Sequence, residues 1–180
     1  MGDLWQALSE LGARVVPLGA DGHLPVELSA AGGITGGSVT IKGDISSQFL
    51  SGLLLSAPAM PDGLRITLDG SLVSRPYVDM TIEVMRAFGA EVRTHDTEGH
   101  LDRIEVAPKR YEARMFAVEP DASSASYFFA LAAVMGGRVR VEGLGCHSLQ
   151  GDLGFTTVLA AMGADVDCVA DYAEVRGTGR

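Results

Sequence analysis

A run of hydroxyl and amide side chains stands where a helix is predicted to begin. Ser46, Ser47 and Gln48 open the apolar segment Phe49–Ala59, which has helical periodicity. The first amides of a helix have no partner within it, and the helix dipole places partial positive charge there. Two hydroxyls beside such amides form a cradle for an anion, especially phosphate. The alternative is simple capping, because serine is frequent at helix starts for stability alone.

A second predicted helix start has the same chemistry. Pro76 suits the first turn of a helix, which puts Ser74 and Arg75 beside the free amides and adds the hydroxyl of Tyr77. The alternative is a capped helix with a solvated Arg75 and a half-buried Tyr77. Because two helix starts in one part of the chain carry hydroxyls, we predict that they converge on one ligand.

The segment 121–126, Asp-Ala-Ser-Ser-Ala-Ser, repeats the first pattern with an acid in front. It precedes a predicted helix whose apolar pattern is Tyr127, Ala130, Leu131 and Val134. We interpret Asp121 as a helix N-cap; the alternative is a role in positioning a ligand or in a hinge. Asp152 precedes the last predicted helix, where its charge suits the positive helix end. Neither a Ser-His-Asp nor a Cys-His arrangement can be argued, and Cys146 beside His147 is interpreted as incidental. The four histidines lack metal-ligand spacing: His23, His95, His100 and His147.

An internal repeat supplies the elements that position these residues. Gly12, Gly89 and Gly163 each follow an apolar helical pattern and precede an Ala-X-Val sequence, at spacings of 77 and 74 residues. A glycine there is typical of a helix C-cap in the left-handed conformation. The Asp-X-Ser-Ser sequences that begin at positions 44 and 121 are also 77 residues apart. Several motifs in one order at nearly one offset indicate a structural repeat.

The repeating unit is predicted to be βαβαββ, about 75 residues long, which makes the chain α/β. Strands at 39–41 and 116–118 lead into the two units, the alternation over 65–68 predicts a further strand, and residues 19–22 and 96–99 are predicted hairpin turns. The chain opens on the second helix of one unit and closes after the strand pair of another. We therefore expect a slice of a longer protein, incomplete at both ends.

Composition excludes several classes of function. Hydrophobic residues make up 47% of the chain, enough for a real core, and the formal net charge of −9 disfavours nucleic acid and acidic membranes as partners. No targeting or membrane segment is visible, since the longest apolar run, Phe49–Met60, is short and broken. The two cysteines, Cys146 and Cys168, are predicted to be free thiols in a reducing cytoplasm.

Four motifs resemble those of the 5-enolpyruvylshikimate-3-phosphate synthase family in order and spacing. They are GDISSQFL at 43–50, LVSRPYVDMT at 72–81, DASSASYF at 121–128 and SLQGD at 148–152. The resemblance covers essentially the whole chain and corresponds to the middle part of that enzyme. It implies the enolpyruvyl transferase fold, an inside-out α/β barrel with two domains of three βαβαββ units each.

The resemblance also implies a reaction and a site. The family transfers the enolpyruvyl group of phosphoenolpyruvate to the 5-hydroxyl of shikimate-3-phosphate by addition and elimination, a step of aromatic biosynthesis that glyphosate inhibits. Carried over by motif, Ser46, Ser47 and Ser74 would hold the phosphate of shikimate-3-phosphate. Tyr77 would line the ring pocket, and Gln48 would reach between the two substrates. No metal or organic cofactor is implied.

The resemblance places the family's general base and its cationic grip on phosphoenolpyruvate outside this chain, so no catalytic residue is assigned and the chain alone is expected to be inactive. Residues 1–118 would belong to the shikimate-phosphate-binding domain, and residues 119–180 would form the first unit of the second domain, with the crossover near 119–121. Two alternatives are a UDP-N-acetylglucosamine enolpyruvyl transferase and a non-catalytic phosphate-binding module. The Ser-Ser-Gln and Ser-Arg-Pro-Tyr motifs favour the shikimate enzyme over the former.

Overall fold

The computed structural model describes residues 2–20, 22–44 and 46–178. Two compact units, Met1–Arg114 and Met115–Arg180, divide the chain. Within the described residues, none of the helices has both the length and the apolar character needed to span a bilayer. Asp21 of the predicted turn at 19–22 and Ile45 of the first motif lie outside the described residues, as does Arg180, where the last unit was predicted to close.

Among its described residues, the first unit contains three helices and six strands. The helices are α1 (Gly2–Glu10), α2 (Ser47–Ser56), which continues as a 3-10 turn (Ala57–Ala59), and α3 (Arg75–Ala87). The strands are β1 (Arg14–Pro17), β2 (Val26–Ser29), β3 (Gly37–Lys42), β4 (Leu64–Asp69), β5 (Val92–Thr97) and β6 (His100–Val106). Strands β1 and β2 form an antiparallel pair, and the other four form one sheet in the order β3-β4-β6-β5.

The element order from β3 to β6 is β-α-β-α-β-β, which confirms the predicted unit. Strands β3 and β4 are parallel, whereas β4, β6 and β5 pair antiparallel. In β4 the apolar side chains of Leu64, Ile66 and Leu68 are buried and the polar ones between them are exposed. This alternation gives the sheet one apolar face, and the helices cover it.

The repeated glycines have the predicted conformation. Gly12, Gly89 and Gly163 have φ angles of 99°, 85° and 100°, a region that favours glycine because it has no Cβ. The predicted turn at 96–99 is also confirmed, with Glu98 and Gly99 both at positive φ between β5 and β6. These positions fix where each helix ends and the next strand begins.

The second unit, as far as residue 178, contains two helices and three strands. They are α4 (Ala122–Met135), β7 (Arg138–Glu142), α5 (Phe155–Ala161), β8 (Asp165–Cys168) and β9 (Tyr172–Arg176), with a 3-10 turn (Gly151–Gly154) before α5. The sheet has the order β7-β9-β8, and all its pairs are antiparallel. It corresponds to the order β4-β6-β5 in the first unit.

The predicted lead-in strand at 116–118 is wrong. In the first unit β3 pairs with β4 along six residues, but no strand lies between β6 and α4 in the second unit. Met115 and Val118 are almost fully exposed. Without a buried apolar face, this segment has nothing to select a strand register.

The buried side of α4 also differs from the predicted pattern. The helix is confirmed, but Tyr127, Leu131 and Val134 of the predicted apolar pattern are exposed. The core side consists of Ala122, Ala125, Phe129 and Ala132. Because α4 is apolar on most sides, periodicity alone does not select the face, and the small alanines allow close packing on the sheet.

The polar face of the second sheet centres on one fully buried carboxylate, Glu174. It accepts hydrogen bonds from Nη2 of Arg138 at 2.7 Å and Nε of Arg140 at 2.5 Å, and it also pairs with Arg176. The guanidinium of Arg140 stacks on the ring of Tyr172, 3.7 Å from its centroid. Hydrogen bonding to Arg138, opposed by desolvation, lowers the pKa of Glu174 to about 2.

Candidate phosphate-binding site

Ser46 is the N-cap of α2. Its Oγ accepts a hydrogen bond from the backbone N–H of Gln48 at 3.3 Å, so the capping interpretation is correct for this residue. Ser46 and Gln48 are exposed, and Ser47 is half-buried. No acidic residue lies in the first turn of α2, so no side chain of that turn neutralises the positive end of the helix.

Ser74 is the N-cap of α3, but its hydroxyl makes no capping hydrogen bond. Its backbone carbonyl accepts from the N–H of Tyr77 at 3.2 Å, which closes the first turn. Tyr77 is about half exposed, at 49%. The first turn of α3, like that of α2, contains no acidic residue. Both helix starts therefore present hydroxyls and positive dipole ends without a carboxylate of their own in the first turn.

Sheet topology brings the two helix starts to one edge. Strands β3 and β4 are parallel neighbours, so their carboxyl ends, and the helices that follow them, begin at the same side of the sheet. The N–H of Gly43 donates to the carbonyl of Asp69 at 2.8 Å, and the N–H of Val73 donates to the carbonyl of Gly43 at 3.1 Å. These hydrogen bonds tie together the two loops that carry the serines.

Gly43 is required by this contact. A Cβ at position 43 would lie 2.6 Å from the carbonyl oxygens of both Gly70 and Ser71. A larger residue would push the two loops apart, since backbone atoms cannot yield as a flexible side chain does. The glycine that opens the first motif thus sets the spacing between the two helix starts.

A hydrogen bond also fixes the two helices against each other. Oγ of Ser51 and Oγ1 of Thr81 are 2.8 Å apart. Ser51 lies one turn after Ser47, and Thr81 lies one turn after Tyr77. Ser47 and Tyr77 are therefore at the same level of two neighbouring helices, as convergence on one ligand requires.

Arg75 has a different role from either sequence interpretation. Its Nη1 lies 2.7 Å from Oδ1 of Asp96 and donates to the carbonyl of Gly99 at 3.1 Å, and its Nε contacts Oδ2 of Asp79 at 3.3 Å. Hydrogen bonding to Asp96 raises the pKa of Arg75. Arg75 thus joins the start of α3 to the β5–β6 turn. Only its contact with Asp79, four residues along the helix, had a signal in the sequence.

The start of α4 is arranged differently, although it occupies the repeated position. Oδ1 of Asp121 accepts from the N–H of Ser123 at 2.9 Å, and Oδ2 accepts from Oγ of Ser124 at 2.7 Å. These interactions, the hydrogen bond from Ser124 first, lower the pKa of Asp121. The predicted N-cap is confirmed. Oγ of Ser123 also donates to Asp152 from the SLQGD segment.

Gln150 completes the closure of this helix start. Its Oε1 accepts from the N–H of Ala122 at 2.7 Å, and its Nε2 donates to the carbonyl of Pro120 at 2.8 Å. Sequence reasoning found the motif but not this role, because the partners are 28 and 30 residues away. The start of α4 is therefore bonded by two carboxylates and an amide of its own unit, with Asp121 as the N-cap, whereas the N-caps of α2 and α3 are serines.

The predicted site residues fall into one group. Ser46, Ser47, Gln48, Ser74 and Tyr77 all lie at the starts of α2 and α3. Over residues 2–20, 22–44 and 46–178, no three His, Cys, Asp or Glu side chains are arranged to hold a metal ion.

Comparison with known proteins identifies the family. The family described as EPSP synthase (3-phosphoshikimate 1-carboxyvinyltransferase) matches residues 1–179. The chain belongs to the EPSP synthase family. A 3-phosphoshikimate 1-carboxyvinyltransferase from Shewanella sp. (strain W3-18-1) is 48% identical over 180 residues, 99% of this chain and 41% of the relative. The enzyme of that name from Edwardsiella ictaluri is 48% identical over 169 residues, 92% of this chain and 38% of the relative.

Solved structures agree with this EPSP synthase assignment. An EPSP synthase from Acinetobacter baumannii superposes with a TM-score of 0.71 and 26% identity, over 99% of this chain and 39% of that one. The enolpyruvyl transferase NikO from Streptomyces tendae, at 21% identity and a TM-score of 0.65, shows the shared fold alone. The predicted enolpyruvyl transferase fold is confirmed. This EPSP synthase-family chain spans about 41% of the length of the curated relatives it matches.

Proposed function

We propose that this chain supplies the shikimate-3-phosphate-binding part of an enzyme that transfers the enolpyruvyl group of phosphoenolpyruvate to the 5-hydroxyl of shikimate-3-phosphate. Membership of the EPSP synthase family supports the reaction. The observation that carries the assignment of the site is that the starts of α2 and α3 lie at one edge of the sheet, their loops joined by hydrogen bonds through Gly43.

The chemistry of these helix starts suits a phosphate monoester. Free helix amides and the positive dipole ends attract the dianion, and the hydroxyls of Ser46, Ser47 and Ser74 would donate to its oxygens. Tyr77, at the level of Ser47, would line the sugar-like ring, and Gln48 would reach between the two substrates. A chain with a net charge of −9 can hold an anion in this way because the attraction is local.

The two compact units fit a division of labour between domains. We assign the first unit, which ends at Arg114, to shikimate-3-phosphate and the second to the opposite domain. The division at 114 and 115 lies a few residues before the crossover proposed near 119–121.

Free thiols at Cys146 and Cys168 support a cytoplasmic location, and the acidic charge argues against a nucleic-acid partner.

Catalysis is proposed to need more than these residues. Enolpyruvyl transfer by addition and elimination requires a general base and cationic stabilisation of phosphoenolpyruvate. The resemblance assigns both to parts of the family sequence that this chain does not match. The chain with both substrates should therefore release no phosphate above the uncatalysed rate, and measurable turnover would overturn this part of the proposal.

Calorimetric titration with shikimate-3-phosphate tests the binding site. Ser46→Ala, Ser47→Ala and Ser74→Ala should each weaken binding about tenfold or more, since each removes a hydrogen bond to a charged group. Ser56→Ala is the matched control, because Ser56 ends the same helix and its hydroxyl bonds only the carbonyl of Gly52 among the contacts described. The control should bind as the parent chain does.

Three ligands separate the proposal from its alternatives. Binding of shikimate-3-phosphate that depends on the three serines supports it. Preference for UDP-N-acetylglucosamine would favour the sister transferase instead. The third outcome is that inorganic phosphate, shikimate-3-phosphate and UDP-N-acetylglucosamine all bind equally weakly and that the serine substitutions change nothing. It would show that α2 and α3 are capped helices without a specific site.

A further inference from the structure

The two cysteines of the second unit lie in neighbouring backbone segments. Cys168 is the last residue of β8 and packs against the apolar core of the unit, and Cys146 is exposed in the loop after β7. The N–H of Cys146 donates to the carbonyl of Val169 at 2.8 Å. The hydrogen-bond partner of Cys146 is thus the residue that directly follows Cys168.

Two further contacts show that these segments run side by side. The N–H of Gly143 donates to the carbonyl of Asp171 at 2.7 Å. A Cβ at Gly145 would lie 1.8 Å from the carbonyl oxygen of Ala170, so the backbones touch there. The backbone partner of Cys146 is Val169, and paired residues in such an arrangement have Cα atoms about 5 Å apart. Cys168 is the next residue along that segment, which puts its Cα about 6 Å from that of Cys146, within the range of roughly 4.4–6.8 Å that disulfides bridge.

We propose that Cys146 and Cys168 are an oxidation site, a thiol pair that a peroxide or a small-molecule disulfide converts into an intramolecular disulfide bond. Electrostatics agrees with the geometry. Burial is the main cause that raises the pKa of the Cys168 thiol, and the charge of Cys146 is the next cause. The pairing joins residues 22 positions apart in the sequence, within one compact unit.

The exposed thiol reacts first. The thiolate of Cys146 attacks one oxygen of hydrogen peroxide, the O–O bond breaks, and a sulfenic acid and water are formed after proton transfer. The Cys168 thiolate then attacks that sulfur, the S–O bond breaks, and a second water leaves. Overall, two thiols and one peroxide give one disulfide and two waters. With oxidised glutathione, the Cys146 thiolate attacks one sulfur, the S–S bond of the glutathione breaks, and one reduced glutathione leaves as the mixed disulfide forms. The Cys168 thiolate then attacks the sulfur of Cys146 and a second reduced glutathione leaves.

The structural consequence is local. Cys146 lies just before the 148–152 segment, which covers the start of α4 through Gln150 and Asp152. A disulfide to Cys168 would fasten the loop that carries this segment to the end of β8. Oxidation should therefore raise the melting temperature of the second unit, because it restricts the unfolded chain.

Disulfide formation in glutathione buffers tests the proposal on the full 180-residue chain. The folded chain and the chain in concentrated guanidinium chloride are equilibrated at graded ratios of oxidised to reduced glutathione and then quenched. Trypsin would leave both cysteines in the peptide 141–176, so a protease that cuts before Asp152 and Asp167 is used for mass spectrometry. The folded chain should form the Cys146–Cys168 disulfide with an effective concentration at least about tenfold above that of the unfolded chain.

Single-cysteine variants supply the controls. In Cys168→Ser, Cys146 should accumulate as the glutathione adduct of a monomer. In Cys146→Ser, which alters only an exposed side chain, Cys168 should stay reduced far longer than in the parent. The proposal is overturned if folded and unfolded chains form the disulfide equally well. It is also overturned if the parent chain stops at the Cys146 adduct or links Cys146 to Cys146 of a second copy.

Discussion

Oγ of Ser51 and Oγ1 of Thr81, 2.8 Å apart, join α2 to α3 one turn below the helix starts that carry the candidate site. Thr81 also donates to the carbonyl of Tyr77 at 2.8 Å, which uses its single hydroxyl proton. Ser51 is therefore the donor in the contact between the helices. These two consecutive hydrogen bonds connect the backbone of Tyr77 to the neighbouring helix α2.

Ser51→Ala should lower both stability and ligand affinity. The lost hydrogen bond costs about 0.5–1.5 kcal/mol in the free energy of unfolding, measured by urea denaturation. We expect binding of shikimate-3-phosphate to weaken as well, since the relative position of Ser47 and Tyr77 is no longer fixed. With Thr81→Val, the double variant should cost less than the sum of the single variants, and strict additivity would mean that the contact is not energetically coupled.

Glu174 should make stability depend on pH in the acid range. Its pKa is lowered from 4.5 to about 2 by the surrounding arginines, so the ionised form is the one that the fold favours. The stabilisation is complete above pH 4.5 and is lost as the pH falls from 4.5 toward 2. Urea midpoints between pH 6 and pH 2.5 measure this, with the second unit followed through its own amide signals.

Glu174→Gln is the matched variant for that measurement. The amide keeps the shape of the side chain but loses its charge among Arg138, Arg140 and Arg176, so the second unit should be less stable at pH 6. The difference in the free energy of unfolding between parent and variant should become smaller toward pH 2.5. A gap of constant size would show that the stabilisation does not come from the charge of Glu174.

Gln150→Ala should destabilise the second unit and leave ligand binding by the first unit unchanged. It removes the partners of the Ala122 N–H and the Pro120 carbonyl, at a cost of about 1–3 kcal/mol. Gln150→Glu separates the two bonds, because a carboxylate still accepts from Ala122 but cannot donate to Pro120. The glutamate variant should fall between alanine and the parent; equality with the parent would mean that the Pro120 bond contributes nothing.

Arg75→Ala distinguishes an anchoring residue from a ligand-binding one. Because Arg75 is engaged by Asp96 and Asp79 and is partly exposed, its removal should cost less than about 1 kcal/mol. Affinity for shikimate-3-phosphate should change less than in Ser74→Ala. A loss of affinity as large as that of the serine variant would show that Arg75 leaves its carboxylate partners to contact the phosphate.

The repeat could be predicted from the sequence because the residues that end its helices are fixed by backbone stereochemistry. Gly12, Gly89 and Gly163 have positive φ angles. Because this conformation favours glycine, the residue type alone marks these positions in the sequence. The strand alternation in β4 was readable for a similar reason, since one face must be apolar. The starts of α2 and α3 could be predicted from their hydroxyl residues and from Pro76, because these residues influence the backbone within a single helical turn.

The failures concern features that local pattern does not determine. The face of α4 that is buried depends on which side fits the sheet, and a helix apolar on most sides gives no preference. The segment 116–118 has strand-like residues but does not form a strand. The partners of Arg75 and Gln150 lie 21 and 28 residues away, so only tertiary structure reveals them.

Gln48→Glu tests whether the start of α2 is an anion site or only a stable cap, because the two interpretations predict different results. A carboxylate in the first turn interacts favourably with the helix dipole, so the free energy of unfolding should rise by about 0.3–1 kcal/mol. The same charge should repel phosphate and weaken binding of shikimate-3-phosphate at least about fivefold. Ser56→Glu adds the same charge at the opposite end of α2, where it should lower stability slightly and leave affinity unchanged. If Gln48→Glu stabilises the chain with no loss of affinity, the start of α2 is only a cap. The second unit places Asp121 and Asp152 at the start of α4, and in that case the two units differ at these helix starts only in their capping groups.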